Sequence, residues 1–400
     1  MIRNTTGEDF RKPAIVICNH QSHLDTVLNI LQNPRMILLT APWVQKSMFF
    51  GWFIRFADFY SVTDGITPMM GKLREIVNEG YSIFVFPEGT RSRNLEIGRF
   101  HQGAFYMARE FDLDILPVVS YGSGNAMPKF EPFLKTSPTT MTILPRITKD
   151  DPLIKDTPLA TARALRAFYK KEYGRIRKEF ETPEFFRKKV VRNYLYRGPV
   201  LEWYMKVKIR MEDHYRLFHK ILPEDGLITD IGCGYGFMAY MLQLMAPERK
   251  FLGYDYDADK IDTARHCALK NDRMEFRHTD VSAFDPERSD AFIMADVLHY
   301  LPGEEQEKLI RKCAGKMKEN GLLLIRDADA GMKKKHLGTR ISEFLSTRVG
   351  FNATRGKDNK LYFRPKEFYL EIFDDLELET EIVDDTRMTS NLVYILKKKA

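Results

Sequence analysis

No run in this chain is both long enough and apolar enough to span a bilayer. The longest apolar-aromatic stretch, Met48–Tyr60, is broken by Arg55 and Asp58, well short of the roughly twenty residues a spanning helix needs. Cysteine is scarce, and Cys18, Cys233, Cys267 and Cys313 lie far apart with no CxxC pair. That spacing excludes a disulfide framework and a thiolate metal cluster, and it suits reduced thiols in the cytoplasm. His23 lies close to His20, but no Cys or carboxylate spacing completes a metal site, so no metal is expected. No leader is expected either, because Arg3, Glu8, Asp9, Arg11 and Lys12 precede any apolar run. Internal repeats and low-complexity tracts are absent too.

What is present begins with length and charge. At 400 residues, the chain exceeds one comfortable core and predicts two domains. Positive charge gathers in the middle: Arg163–Lys220 holds 17 Lys/Arg against 7 Asp/Glu, whereas the whole chain carries only +7. Aromatics such as Phe168, Tyr169, Phe185, Trp203 and Tyr204 interleave with those cations. The pattern suits an anionic membrane face or nucleic acid, and equally a helical linker with a solvated charged side.

Apolar runs at 13–18, 35–40, 81–86, 115–119 and 141–144 read as strands, with helical periodicity over 22–32 and 68–79 between them. This predicts an α/β domain over residues 1–155. Helices are expected over 157–178 and 184–222, broken at Thr182-Pro183 and near Gly198-Pro199. Residues 156–204 read as a basic, aromatic-rich helical linker. Strands at 227–231, 251–255, 274–277, 290–295 and 321–326 then alternate with helices, predicting a doubly wound parallel sheet over 205–400. Residues 391–396 read as a last edge strand.

Two groups of residues carry chemistry. In the first, His20 and Asp25 stand five apart, which on one helix would turn them roughly 140° away from each other. A strand-to-helix turn between them would bring both side chains together, the carboxylate fixing the imidazole that takes a proton from a hydroxyl. With the surrounding Asn19-His20-Gln-Ser22-His-Leu-Asp25, Phe86-Pro-Glu88-Gly89-Thr90-Arg91, Phe100-His-Gln-Gly103 and Leu116-Pro-Val118, this half resembles the glycerol-phosphate and lysophospholipid acyltransferase family. The resemblance implies His20 and Asp25 as the catalytic pair, with Glu88, Gly89, Thr90 and Arg91 around the acceptor's phosphate-bearing end. It also implies an acyl thioester of coenzyme A or acyl carrier protein as co-substrate. The family's arginine between the first two blocks has no counterpart in Asp58–Gly65, so the acceptor need not be lysophosphatidate.

In the second group, Asp230-Ile-Gly232-Cys-Gly234-Tyr-Gly236 follows a strand. Phe237 stands where a dinucleotide GxGxxG would need its last glycine. The Asp-x-Gly-x-Gly-x-Gly form resembles class I S-adenosylmethionine-dependent methyltransferases instead. That resemblance implies S-adenosylmethionine as cofactor, with Asp230, Gly232, Gly234, Gly236, Asp255, Asp280 and Asp296 around it. Asp257 rivals Asp255 for the ribose, and His299 reads equally as a base or as a packing residue.

The two resemblances together, as in bacterial multidomain proteins that also carry an exporter-like part, imply a bifunctional lipid-modifying enzyme at the inner face of the membrane. Its acceptor would be a lipid or an aryl-polyene-like product. A membrane-recruited methyltransferase with a non-catalytic lipid-binding domain is the alternative. Nucleic acid is disfavoured, because Ala295-Asp-Val-Leu stands where amino-methylating DNA enzymes carry an Asn/Asp-Pro-Pro-Tyr tetrapeptide.

Overall fold

The computed structural model describes residues 1–33, 35–40, 59–61, 69–131, 133–212, 214–280, 285–332, 361–384 and 390–398. Most of Met48–Tyr60 and of Asp58–Gly65 therefore lies outside the described residues. The chain divides into two compact units, Met1–Phe180 and Glu181–Ala400.

The first unit is built on a seven-stranded sheet in the order β1-β7-β6-β2-β5-β3-β4. Its strands are β1 (Ile2–Asn4), β2 (Ile15–Cys18), β3 (Met36–Thr40), β4 (Phe59–Ser61), β5 (Ser82–Val85), β6 (Ile115–Tyr121) and β7 (Thr140–Ile143). Among these described strands only the β6–β7 pair is antiparallel. Every residue of β2 is buried, as a strand covered on both faces requires. Ile15 and Ile17 pack against α2 (Met70–Asn78), α3 (Gly103–Glu110) and α4 (Pro158–Phe180). Val16 and Cys18 face the other way, towards Leu28 of α1 (His23–Ile30).

In the second unit the order is β10-β9-β8-β11-β12-β14-β13. Five parallel strands, β8 (Gly226–Ile231), β9 (Arg249–Asp255), β10 (Met274–His278), β11 (Ser289–Ala295) and β12 (Met317–Ala328), meet a hairpin of β13 (Leu378–Val383) and β14 (Asn391–Lys398). One face of the sheet packs on α5 (Pro183–Arg192), α6 (Pro199–Met211), α7 (Tyr215–Ile221), α8 (Phe237–Met245) and α9 (Ala258–Arg265). The other packs on α10 (Gly303–Lys316) and α11 (Lys366–Asp375). Both units are α/β, and the second is doubly wound.

Two expectations are corrected. Residues 391–396 do not form the edge: β14 pairs antiparallel with β12 on one side and β13 on the other. Its six buried residues in a row are the pattern of an interior strand, whereas the edge strand β13 carries Glu379 and Glu381, charges that discourage further pairing. The supposed 156–204 linker is likewise shared out. In α4, Ala162, Leu165, Tyr169, Tyr173 and Ile176 are buried in the first unit's core, and Tyr169 donates to Ile17 O at 2.7 Å. Phe186, Val190 and Met205 of α5 and α6 belong to the second unit's core.

Candidate active sites

In the first unit the motif residues follow the carboxyl ends of β2, β5 and β6, which lie side by side at the sheet's centre. This is the crevice where open α/β sheets bind ligands. β2 stops at Cys18, and α1 begins at His23 with Ser22 as its N-cap and Asp25 completing a capping box. The box explains the five-residue spacing: it folds the chain back so that Asp25 Oδ2 accepts from the backbone N–H of Gln21 at 2.7 Å and of Ser22 at 2.8 Å. Asp25 Oδ1 accepts from Ser120 Oγ at 2.6 Å, and Asn19 exchanges two 2.8 Å hydrogen bonds with the Ser120 backbone.

His20 Nδ1 lies 3.5 Å from Asp25 Oδ2. That is close enough for charge attraction but longer than a hydrogen bond, and Nδ1 makes none. The imidazole stacks on Phe86, ring centres 3.7 Å apart, and its side chain keeps 14% of its exposure. Because Nδ1 is buried, that exposure lies on the rest of the ring. A buried, triply donated carboxylate beside a partly exposed imidazole is an arrangement that can take and return a proton.

The second block divides. Glu88, expected at the acceptor, instead turns inward: Oε1 accepts from His20 N at 2.9 Å and Oε2 from Gly98 N at 2.8 Å. A Cβ on Gly98 would lie 2.6 Å from that Oε2, so a larger residue there would push the carboxylate aside. Glu88 thus braces the His20 turn, and burial pushes its carboxyl up to about 7. Gly89 takes φ +66°, a left-handed turn that suits glycine, and with Thr90 it is exposed. Arg91 is half-buried; the burial of His23 and then the charge of Arg91 hold the His23 imidazole down to about 4. Lys129 joins this group, donating to Arg91 O at 2.7 Å and Thr90 Oγ1 at 3.0 Å.

The second unit has its own cavity outside β8, β9 and β11. Gly232, Gly234 and Gly236 all take positive φ. The turn they form donates from Gly232 N to Tyr254 O at 2.8 Å and from Gly234 N to Asp255 Oδ2 at 2.8 Å. Asp255 also accepts from Asp257 N at 2.9 Å, whereas Asp257 caps α9 by accepting from Asp259 N and Lys260 N, each at 3.1 Å. Asp255 therefore faces the cavity, and its rival holds a helix.

Asp230, Gly232, Gly234, Asp255 and Asp296 line this cavity, while Gly236 and Asp280 do not. Gly236 makes the turn, where a Cβ would lie 2.6 Å from the Phe276 ring. Asp280 is exposed after β10. Buried Asp230 leaves Oδ2 without a hydrogen bond, and burial, then the charges of Asp255 and Glu212, push its carboxyl up to about 7. Asp296 is tied to Arg326 and accepts from Asn391 Nδ2 at 3.2 Å. His299 is buried beside the cavity, its Nδ1 2.7 Å from Asp327 Oδ1, and it does not line the wall.

Tyr204, Lys208 and Glu212 also line the cavity. They come from α6 and its C-cap, inside or just beyond the segment expected to be a linker. Their four-residue spacing puts them on one helix face, which was the available signal. Ser120 was missed because nothing marks it locally; only the register of β6 beside β2 brings it to Asp25.

Residues 2–121 match the family model described as Acyltransferase, and residues 228–321 match the model described as Methyltransferase domain. The 1-acyl-sn-glycerol-3-phosphate acyltransferase BAT2, chloroplastic, of Brassica napus is 31% identical over 29% of this chain and 35% of its own length. The Escherichia coli 1-acyl-sn-glycerol-3-phosphate acyltransferase is 34% identical over 29% of this chain and 50% of its own length. The solved human N-acetylserotonin methyltransferase, in complex with S-adenosylmethionine, is 15% identical with a TM-score of 0.40, over 52% of this chain and 58% of that one. The chain thus spans about a third to a half of these acyltransferases. It carries an acyltransferase-family domain followed by a methyltransferase-family domain.

Proposed function

We propose a bifunctional lipid-modifying enzyme working at a membrane surface. The first domain moves an acyl group from a coenzyme A or acyl-carrier-protein thioester to a hydroxyl of a lysophospholipid-like acceptor. His20 takes the hydroxyl proton as the oxygen bonds to the thioester carbonyl carbon. The carbon–sulfur bond then breaks, and the leaving sulfur takes the proton from the imidazolium, which restores the neutral imidazole. Asp25 stabilises that imidazolium, and Arg91 meets the acceptor's phosphate with a planar fork. The observation that carries this reading is the buried, triply donated Asp25 beside partly exposed His20.

The second domain binds S-adenosylmethionine and methylates a lipid, acyl or aryl product. The residues present fit that cofactor: an orphaned carboxylate oxygen on buried Asp230 suits a cationic amino group, and Asp255 offers acceptors to ribose hydroxyls. The Gly232–Gly236 turn lets a ligand lie against backbone. When bound, the cofactor supplies a methyl group already activated by its sulfonium charge. Tyr204, Lys208 and Glu212 close the cavity from the α6 side.

A thiol-release assay over acyl-coenzyme A and acyl-carrier donors, with lysophosphatidate as acceptor, tests the first half. His20→Ala should lower turnover about 10²–10⁴-fold and leave S-adenosylmethionine binding intact. Thiol release equal in wild type and variant would leave the first domain as a non-catalytic lipid binder.

A further inference from the structure

The loop between β6 and β7 carries three large apolar side chains that the fold leaves outside. Phe130, Phe133 and Leu134 are 73%, 70% and 70% exposed. Large apolar groups exposed together mark a contact surface. Cations frame this one: Arg93 and Lys129 lie over the Phe130 ring at 5.6 and 5.9 Å.

The loop is fastened to the site. At its base Met127 O accepts from Ser22 Oγ, the N-cap of α1, at 3.0 Å. Lys135 N donates to Ala126 O at 2.7 Å, closing the loop on itself. Between these points Lys129 holds the Thr90–Arg91 turn. The apolar tip is thus tied both to the turn that carries His20 and Asp25 and to the arginine beside it.

We infer that Phe130, Phe133 and Leu134, with the cations beside them, form the first domain's membrane-docking surface. Phe130, Phe133 and Leu134 enter the headgroup–acyl boundary of an anionic bilayer, while Lys129 and Arg93 meet lipid phosphates. Apolar insertion flanked by cations is how a peripheral surface gains both depth and charge attraction. An acidic carrier protein would account for the cations but not for three protruding apolar side chains. The inference rests on the acyl-transfer reading only for its purpose. A lipid acceptor keeps its chain in the bilayer and offers its hydroxyl at the surface, so a loop anchored at Ser22 and Arg91 would bring that hydroxyl to His20.

Sedimentation of the full chain with phosphatidylcholine vesicles, with and without phosphatidylglycerol, tests it. The wild type should bind the anionic vesicles more tightly, and Phe130→Ser/Phe133→Ser/Leu134→Ser should weaken that binding at least about tenfold. Lys129→Gln should reduce the preference for phosphatidylglycerol while sparing the apolar contribution. S-adenosylmethionine binding and the melting temperature, unchanged in the triple variant, would show that it folds. Vesicle binding unaltered by the triple substitution overturns the inference, as does a loop that captures acyl carrier protein but no vesicles. Turnover of a monomeric short-chain lysophosphatidate separates the two readings: the triple variant should retain it and lose turnover only on vesicles. Absent turnover on either acceptor would sink the acyl-transfer reading and leave vesicle docking standing.

Discussion

Each unit sets a buried carboxylate by the end of a central strand, at the place where the sheet's order reverses, and the two are treated in opposite ways. Asp25 receives two backbone N–H groups and a hydroxyl and sits in the first turn of α1, whose dipole also favours negative charge. Asp230 has an oxygen with no hydrogen bond and two more carboxylates near it, and is pushed up to about 7. The first has both of its oxygens supplied with donors by the protein itself. The second is left short of stabilisation, a shortfall that a bound cation would offset. Preorganisation for proton transfer and readiness for a charged ligand thus look different in the same topological position.

The largest effect should come from removing Asp25's charge without its shape. Asp25→Asn can still accept from Gln21 and Ser22, yet it no longer stabilises an imidazolium, so acyl transfer should fall about 10³–10⁴-fold. Stability should also drop by about 1–3 kcal/mol, because a charge-assisted set of bonds is weakened. Asp230→Asn should do the reverse to stability, since it removes a buried charge whose outer oxygen lacks a hydrogen bond. Denaturant midpoints for the two variants check this; equal losses from both would erase the contrast.

How far the sequence carried these sites follows from how local each one is. His20 with Asp25 and the Asp230–Gly236 turn are local constructions, a capping box and a strand-to-glycine turn, so spacing alone located them. Asp255 was also legible, because a carboxylate ends its strand. Ser120 and the inward turn of Glu88 depend on which strands lie side by side, and on Gly98 folding back from further along Glu88's own loop. The α6 wall was hidden by its charge: Lys206, Lys208 and Arg210 belong to the basic 163–220 segment, which reads equally as a solvated face, while Met205 and Ile209 were already a core stripe. The hairpin was half seen, since buried β14 is apolar along most of its length and the polar edge strand β13 gives no signal.

A smaller effect separates the carboxylates by pH. Asp230's folded-state value is raised, so between about 4 and 7 the folded protein holds more protons than the unfolded chain. Its contribution to stability is therefore greatest at low pH and falls as pH rises through 7. A cation bound beside it favours the ionised form, so S-adenosylmethionine should bind more tightly as pH rises from 6 to 8, by up to about tenfold per unit, with release of a proton. Calorimetry in two buffers of different ionisation enthalpy measures that proton. Asp230→Asn should abolish its release and weaken binding about ten- to hundredfold; unchanged proton release would remove Asp230 from the site.

The finest test lies inside the first unit, where two neighbours of the His20 turn oppose one another. Glu88 is raised from 4.5 to about 7, so its part in stability declines as pH climbs through that window. His23 is lowered from 6.5 to about 4, so the unfolded chain binds the extra proton there and stability rises with pH. Between about 4.5 and 6.5 the two slopes run against each other, and the protection of β2 amides against hydrogen exchange should stay nearly flat with pH. Glu88→Gln should uncover the His23 slope, with protection falling as pH drops through 6 towards 4. His23→Gln should uncover the opposite slope, with protection falling as pH rises towards 7. Because the amide introduced by Glu88→Gln would set its own N–H against one of the two backbone donors, that variant's baseline should also drop by about 1–2 kcal/mol. Two variants with slopes of the same sign would mean that burial does not govern both groups, and that the brace on His20 is weaker than its two hydrogen bonds imply.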